Sequence, residues 1–245
     1  MADLTILHTN DLHNHLTDVQ AAKIKQHRAS IPGFSLLFDA GDAISAGNIT
    51  YHRDGEPILQ RLNDVGYDAM VIGNREFHFT TNGFVAKIKD AHFPVLCANL
   101  KPTQSQPLPV KPSIRFSFDG RDVFVFGLTV PMITVRMASR HFSSYLFEDP
   151  ESTASRILET LDPRPDLVIL LSHLGSARDR DLARKLPGID LIIGGHTHTA
   201  LPEGEWVDRT LIVQAGWYAK WLGEVSCRFN PTNRQPQLNA RLLPL

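Results

Sequence analysis

One pattern constrains this chain more than any other. Short, continuous apolar runs alternate with longer segments of helical period, and a histidine, aspartate or asparagine stands just past run after run. In Leu167-Val168-Ile169-Leu170-Leu171 every side chain is apolar, so both faces of that strand must be covered. The intervening helical segments supply the cover, which makes the class α/β. Strands are expected at Leu4–His8, Ser35–Asp39, Ala69–Ile72, Val95–Ala98, Asp166–Leu171, Asp190–Ile193 and Leu211–Gln214. Helices are expected at Asp18–Ala29, Pro57–Val65, Asn82–Ala91, Ser152–Leu161 and Arg178–Leu186. Ser113–Phe118 and Asp122–Phe126 alternate around Asp119-Gly120, a hairpin signal. The C-terminal third returns to strands, Gly223–Phe229 and Gln237–Leu243, joined by a turn at Pro231-Thr232-Asn233. The expected architecture is two sheets, with the hairpins feeding the second. The proline-rich loop Lys101–Lys111 separates runs that read as one sheet system, so residues 1–245 are taken as a single domain without internal repeats.

Composition narrows the function classes. With 42% hydrophobic and 21% charged residues, the 245-residue chain is neither disordered nor low-complexity. Lys+Arg 25 against Asp+Glu 26 gives a formal charge of -1, which provides no general pull toward nucleic acid or anionic membranes. No apolar run approaches the roughly 18 to 20 residues that a membrane span needs. The start, Met1-Ala2-Asp3-Leu4, has an acid and no basic stretch, unlike a signal peptide. Cys97 and Cys227 lack metal-type spacing and suit a reducing compartment as small core residues. A cytoplasmic location is expected.

The chemistry lies in the residues that follow the strands, at the edge where α/β folds build their sites. Asp11 and His13 follow the first run; Asp42 follows Asp39-Ala40-Gly41; Asn74 follows Val71-Ile72-Gly73. His173 closes Leu170-Leu171-Ser172, and His196 with His198 closes Ile192-Ile193-Gly194-Gly195. In extended chain, residues two apart point to one side, so Asp11/His13 and His196/His198 can each aim two donors at one place. Glycines before Asp42, Asn74 and His196 permit tight turns there. Mixed imidazole and carboxylate donors suit divalent transition ions, Mn, Fe, Zn, Co or Ni, better than Mg or Ca. Asp42, with two carboxylate oxygens, can bridge two cations about 3.5 to 4 Å apart, as in two-metal hydrolytic sites.

Taken together, Asp11-x-His13, Gly41-Asp42, Gly73-Asn74-Arg75-Glu76, His173 and Gly195-His196-Thr197-His198 resemble the five blocks of the calcineurin-like metallophosphoesterases. Ile6-Leu7-His8-Thr9-Asn10-Asp11, Val65-Gly66-Tyr67-Asp68-Ala69, Glu76-Phe77, Cys97-Ala98-Asn99-Leu100 and Val213-Gln214-Ala215-Gly216 look like its 5′-nucleotidase branch. The resemblance covers nearly the whole chain. It implies a four-layer α/β/β/α metallophosphoesterase sandwich, two mixed sheets flanked by helices, with a dinuclear metal centre at the loops between the sheets. By the family's pattern Asp11, His13, Asp42 and His198 hold one ion, and Asp42, Asn74, His173 and His196 the other. The implied reaction is hydrolysis of small phosphorylated substrates, phosphomonoesters and possibly nucleotides, by attack of a metal-bridging hydroxide. Alternatives are a phosphodiesterase for small cyclic or dinucleotide diesters, or a metal-binding interaction module with weakened catalysis.

Two departures qualify the resemblance. The family usually places a histidine directly after the metal-binding asparagine and an aspartate three positions beyond it; Arg75 and His78 stand there. Arg75 offers a permanent planar charge to phosphate oxygens. His78 titrates near neutrality and is expected to serve as general acid toward the leaving group. The branch also often carries a C-terminal domain that reads the nucleoside, whereas this chain ends at Leu245, so modest substrate selectivity is expected. His8 and His15 read as structural residues or as groups that orient the ligands. Asn99 is read either as bonding a loop carbonyl or as supporting the site. Trp206, Trp217, Tyr218 and Trp221 read as packing residues, with a substrate-pocket wall as the alternative. Arg136, Arg140, Arg178 and Arg180 read as solvated surface.

Overall fold

The computed structural model describes residues 3–229 and 236–245; the expected turn at Pro231-Thr232-Asn233 lies outside the described residues. The N-terminal half runs β1 (Leu4–Thr9), α1 (Asp18–Ser30), β2 (Phe34–Asp39), α2 (Pro57–Val65), β3 (Ala69–Val71), α3 (Thr81–Ile88), β4 (Val95–Leu96) and β5 (Leu100–Pro102). Then come β6 (Ser113–Phe118), β7 (Arg121–Thr129), β8 (Tyr145–Phe147), α4 (Pro150–Glu159), β9 (Leu167–His173), α5 (Ser176–Lys185) and β10 (Leu191–Gly194). Last are β11 (Glu205–Val207), β12 (Thr210–Val213), β13 (Trp221–Phe229) and β14 (Pro236–Pro244). The helices carry local signals. Thr17 and Gln20 form a capping box before α1. Proline opens α2, which Gly66 closes in the left-handed region at φ 88°.

Two six-stranded sheets result, ordered β14-β13-β1-β2-β3-β4 and β11-β12-β10-β9-β7-β6. Their centres are parallel: β1, β2, β3 and β4 in the first, β12, β10, β9 and β7 in the second. Antiparallel strands complete the edges. Both sheets are therefore mixed, as expected. One placement differs. The β6–β7 hairpin feeds the second sheet, but β13 pairs antiparallel with β1, Leu4 opposite Cys227, so the C-terminal hairpin extends the first. The reason is packing: Val225, Cys227 and Phe229 on β13 join the apolar layer between the sheets.

The continuous apolar runs are explained by that layer. Leu167, Ile169 and Leu171 of β9 meet Leu4, Ile6, Leu36 and Val71 of the first sheet. Their alternates Val168 and Leu170 pack with Ala154 of α4 and Leu182 of α5. On the far side Leu7, Leu37 and Met70 pack with Ile24 of α1, Leu59 and Leu62 of α2 and Phe84 of α3. The layers are helix, sheet, sheet, helix, and removing one such buried side chain down to alanine costs about 2–5 kcal/mol. Cys97 and Cys227 are buried and free. Burial pushes the Cys227 thiol up to about 12, which keeps it protonated and inert. Both sheets present the carboxyl ends of their parallel strands to one rim, in register: Thr9 beside Asp39 in the first sheet, Ser172 beside Gly194 in the second.

Candidate metal centre

The chain leaves β1 and β2 through left-handed backbone rather than extended strand. Asp11 (φ 51°), His13 (45°), Asp42 (55°), His196 (74°) and His198 (55°) all have positive φ. The expectation that Asp11/His13 and His196/His198 converge as extended pairs is therefore corrected: tight left-handed turns aim them. Such turns cost a non-glycine residue about 1–3 kcal/mol, and strain of this kind persists where surrounding structure enforces it. Here the enforcement is visible. The Asp11 N–H donates to the Gly41 carbonyl (2.9 Å), that of His13 to Asp42 (2.9 Å), and that of Tyr218 to Asp11 (3.0 Å). Asn10 clamps the same turn, accepting from the Ala215 N–H (2.7 Å) and donating to the Gly216 carbonyl (2.6 Å). Gly41 and Gly73 let the loops touch: a Cβ on Gly41 would lie 2.6 Å from the Gly73 nitrogen, and one on Gly73 would lie 2.1 Å from Asp42 Oδ1.

Two groups of donors converge at this rim, Asp11 with His13 and His198, and Asp11 with Asp42 and His173. In the first, His13 Nε2 and His198 Nε2 stand 3.1 Å apart, and they lie 3.8 and 3.3 Å from Asp11 Oδ1. Ligand atoms about 2.0–2.1 Å from a tetrahedral metal stand roughly 3.4 Å apart, so the triangle has the right size for one ion. In the second, His173 Nε2 lies 3.5 Å from Asp42 Oδ1. Its Nδ1 donates to the Ala40 carbonyl (2.7 Å), which turns Nε2 toward the carboxylates. Asp11 Oδ1 and His173 Nε2 are buried without a hydrogen-bond partner. Buried polar atoms are rarely left so, and a divalent cation is the partner these two fit. Both groups contain Asp11; Asp42 belongs to one. Asp42 Oδ1 accepts the Arg75 N–H (2.8 Å), and its Oδ2 faces Arg75 Nε at 3.8 Å.

Electrostatics agree with a cation pocket. Burial disfavours charge on His173, yet the facing Asp42 carboxylate, with Asp11 behind it, pushes the imidazole up to about 9. The pocket thus favours positive charge strongly enough to overcome desolvation. Burial holds His13 down at about 4 and lowers His196, leaving both neutral and able to ligate near neutral pH.

The remaining site residues divide. Asn74 sits beside the Asp42 loop, its amide donating to Asn48 Oδ1 (3.3 Å). His196 reaches the centre through its backbone, donating to Asp11 Oδ2 (2.9 Å), and its ring meets that of His173 edge to face with centroids 5.2 Å apart. Arg75 donates to the Ser45 carbonyl (3.0 Å), so its guanidinium stays at the rim of the Asp42 loop. His78 is not brought into either donor group. Its Nδ1 accepts from the N–H (3.1 Å) and hydroxyl (2.9 Å) of Thr80, which in turn caps α3, and the Ile49 backbone bonds the ring as well. Burial and the charge of Lys87 lower its pKa. Asn99 bonds the backbone of Thr129 at the end of β7, donating at 2.9 Å and accepting at 3.1 Å. His8 is buried over Gly223, and burial lowers it to about 3. Trp206, Trp217, Tyr218 and Trp221 are exposed, so the packing expectation gives way. His15 stacks on Tyr218. Arg180 pairs with Glu205 at the surface, and Arg136, Arg140 and Arg178 are exposed.

Sequence reasoning missed the residues that hold the ligand loops. Buried Glu76 accepts the N–H groups of Asp42 (2.9 Å), Gly73 (2.7 Å) and Ile44 (3.2 Å). Asp39 accepts from the Gly41 N–H (2.9 Å) and the Thr9 hydroxyl (2.6 Å). Lys87 is fully buried and donates to the carbonyls of Gly47 (2.8 Å), Arg75 (2.6 Å) and Phe77 (3.0 Å). Lys87 had a signal in the sequence: it falls beside Phe84 and Ile88 on the apolar face of α3, where a charge needs dedicated partners.

Comparison with known proteins agrees with this geometry. The family model for calcineurin-like phosphoesterases matches residues 4–200. A Bacillus subtilis protein named trifunctional nucleotide phosphoesterase protein YfkN is 32% identical over 99% of this chain and 19% of its own length. A Vibrio cholerae 5′-nucleotidase is 31% identical over 79% of this chain and 40% of its own. The chain thus spans half or less of the length of these curated relatives. The solved structure of a Thermus thermophilus 5′-nucleotidase precursor superposes with a TM-score of 0.82 at 25% identity, covering 99% of this chain and 54% of that one.

Proposed function

Because the chain belongs to the calcineurin-like phosphoesterase family, we propose that it hydrolyses small phosphomonoesters, nucleotides among them. Calcineurin-like phosphoesterases bind divalent metal ions, and the reading here is two ions of the Mn, Fe, Zn, Co or Ni type. Asp11, His13, Asp42 and His198 would hold one, and Asp42, Asn74, His173 and His196 the other, with residues 1–245 acting as one catalytic domain in the cytoplasm. Ions in such a pair polarise the phosphoryl oxygens and make water a competent nucleophile near neutral pH.

The chain's own residues do the rest. Asp11 and Asp42 offset cationic charge, and the Ala40 carbonyl fixes the tautomer of His173 so that Nε2 faces inward. Arg75, held at the loop by Ser45 and beside Asp42, binds the phosphate oxygens and spreads the charge that develops on them. His78 is expected from the sequence as general acid, but its ring is bonded to the Ile49 backbone in the connection between β2 and α2 and to Thr80 in the loop that starts α3. Its role in this reading is to set the path of that loop, and solvent protonates the leaving oxygen. The observation that carries the proposal is the pair of buried, unpartnered ligand atoms, Asp11 Oδ1 and His173 Nε2, at one rim. A panel of phosphomonoesters and small phosphodiesters assayed with Mn²⁺-loaded protein tests it. Monoesters turned over well ahead of diesters are expected; preference for diesters, or metal binding without turnover, would overturn it.

A further inference from the structure

Beside the first donor group lies an aromatic corner that the metal chemistry does not use. Trp217 meets the ring of His198 edge to face with centroids 5.0 Å apart, and Tyr218 meets that of His13 in the same manner at 5.5 Å. The two rings meet each other edge to face at 6.0 Å. Trp217 is 36% exposed and Tyr218 41%, beside half-buried His198 and buried His13. Large aromatic side chains left open to water next to a polar centre lose the burial that usually justifies them.

The backbone here is built rather than loose. Tyr218 and the next residue, Ala219, stand at φ 57° and 51°, and the Tyr218 N–H is tied to the carbonyl of Asp11. The rings are also backed from one side each. The Lys220 ammonium lies 4.6 Å from the centre of the Trp217 ring, and His15 stacks on Tyr218 with centroids 4.0 Å apart. Lys220 and His15 thus hold the two rings in place from the protein side, and each ring still keeps more than a third of its surface exposed. Strain and fixation of this kind cluster where a ligand is gripped.

Resting on the phosphomonoesterase reading above, we propose that Trp217 and Tyr218 form the leaving-group subsite, a stacking wall for the planar ring of a nucleoside monophosphate. A phosphate held between the donor groups and Arg75 would leave its ester group directed outward past His13 and His198, whose rings touch this wall. Every nucleobase has a π-face, so such a wall favours bases over plain sugars while discriminating little among them. Such a wall would give this chain a preference for nucleotides over other exposed phosphates, where the sequence alone leads to an expectation of modest selectivity.

The test compares AMP with ribose 5-phosphate, which shares the sugar phosphate and lacks the base. Base–aromatic stacking lost to alanine weakens binding by roughly 5- to 100-fold. Trp217→Ala should therefore lower the ratio of kcat/KM for AMP to that for ribose 5-phosphate by that factor, through KM, and Trp217→Phe should retain most of it. An unchanged ratio, with both substrates slowed alike or neither slowed, overturns the wall. Quenching of intrinsic tryptophan fluorescence by AMP gives a readout independent of turnover. It should saturate in the wild type and lose its base-dependent part in Trp217→Phe. If neither compound is hydrolysed, the phosphomonoesterase reading fails, and the quenching decides the subsite: its presence supports the wall and its absence overturns it.

Discussion

Both rims use left-handed backbone, at Asp11, His13 and Asp42 in the first and at His196 and His198 in the second, but buried carboxyl groups hold the Asp42 loop, whereas His173 ends a regular strand. Glu76 and Asp39 hold the Asp42 loop through backbone N–H groups, and Lys87 ties that loop to the next through the carbonyls of Gly47, Arg75 and Phe77. Around His196 and His198 a neutral side chain shares the work with Asp11: Gln214 accepts from the Thr199 N–H (2.7 Å) and the Thr197 hydroxyl (3.1 Å), and Asp11 from the His196 N–H (2.9 Å). Buried Asp179, bonded to Ser172, has its pKa pushed up to about 7 by desolvation, so it too is substantially protonated near neutrality. The difference has an electrostatic origin. Desolvation, and then the charge of Asp42, raises the pKa of Glu76, so the first rim concentrates carboxylates that cations would relieve. The second rim supplies imidazoles and needs no such relief.

The largest effect is expected at the ligand both metal sets share in the proposed scheme. Asp42→Asn should lower kcat/KM by about 10³-fold or more, since losing several kcal/mol of charge stabilisation translates to that. His196→Ala, on the second rim, should cost less; equal losses would break the asymmetry. Next comes the loop that begins at Asn74. Arg75→Ala should lower kcat/KM by roughly 10²- to 10³-fold, as removing a preorganised charge does. His78→Ala should slow alkyl and p-nitrophenyl phosphates alike, and a selective loss on alkyl phosphates would restore it as the acid.

The supporting residues separate the rims more finely. Glu76→Gln should weaken metal affinity or activity by about 10- to 100-fold, the usual cost of losing a group that orients a ligand. Asp179→Asn should do less to activity and show itself in stability. Its folded pKa, about 7, lies above the ordinary 3.8, so the folded state holds the extra proton between those values. The contribution is full below about pH 4 and is lost as pH rises through 7. Asp179→Asn should flatten the fall in melting temperature expected for the wild type between about pH 4 and pH 7; an unchanged slope would show that Asp179 titrates normally.

Much of this was legible in the sequence, for reasons particular residues make plain. The run Leu167–Leu171 announced a strand covered on both faces because its alternate residues pack in different layers. The candidate ligands announced themselves by standing past strand ends. What stayed hidden depends on contacts between distant segments. No local pattern says that Gly223–Phe229 returns to pair with β1, or that Glu76 grips Asp42 across 34 positions. The left-handed turns at Asp11 and His13 were hidden too, because φ at a non-glycine residue is set by the hydrogen bonds that enforce it. The aromatic corner was misjudged since Trp217 and Tyr218 have the composition of packing residues, and only their exposure shows otherwise.

That the two rims together hold divalent cations for phosphate ester cleavage is the proposal on which the rest depends. Its most direct test is elemental analysis of the purified chain after incubation with Mn²⁺ and removal of the excess, for the wild type beside Asp42→Asn. About two ions per wild-type chain and a loss of both affinities in the variant are predicted, because Asp42 would serve both ions. A wild type that retains no metal, or a variant that retains as much as the wild type, would contradict the account.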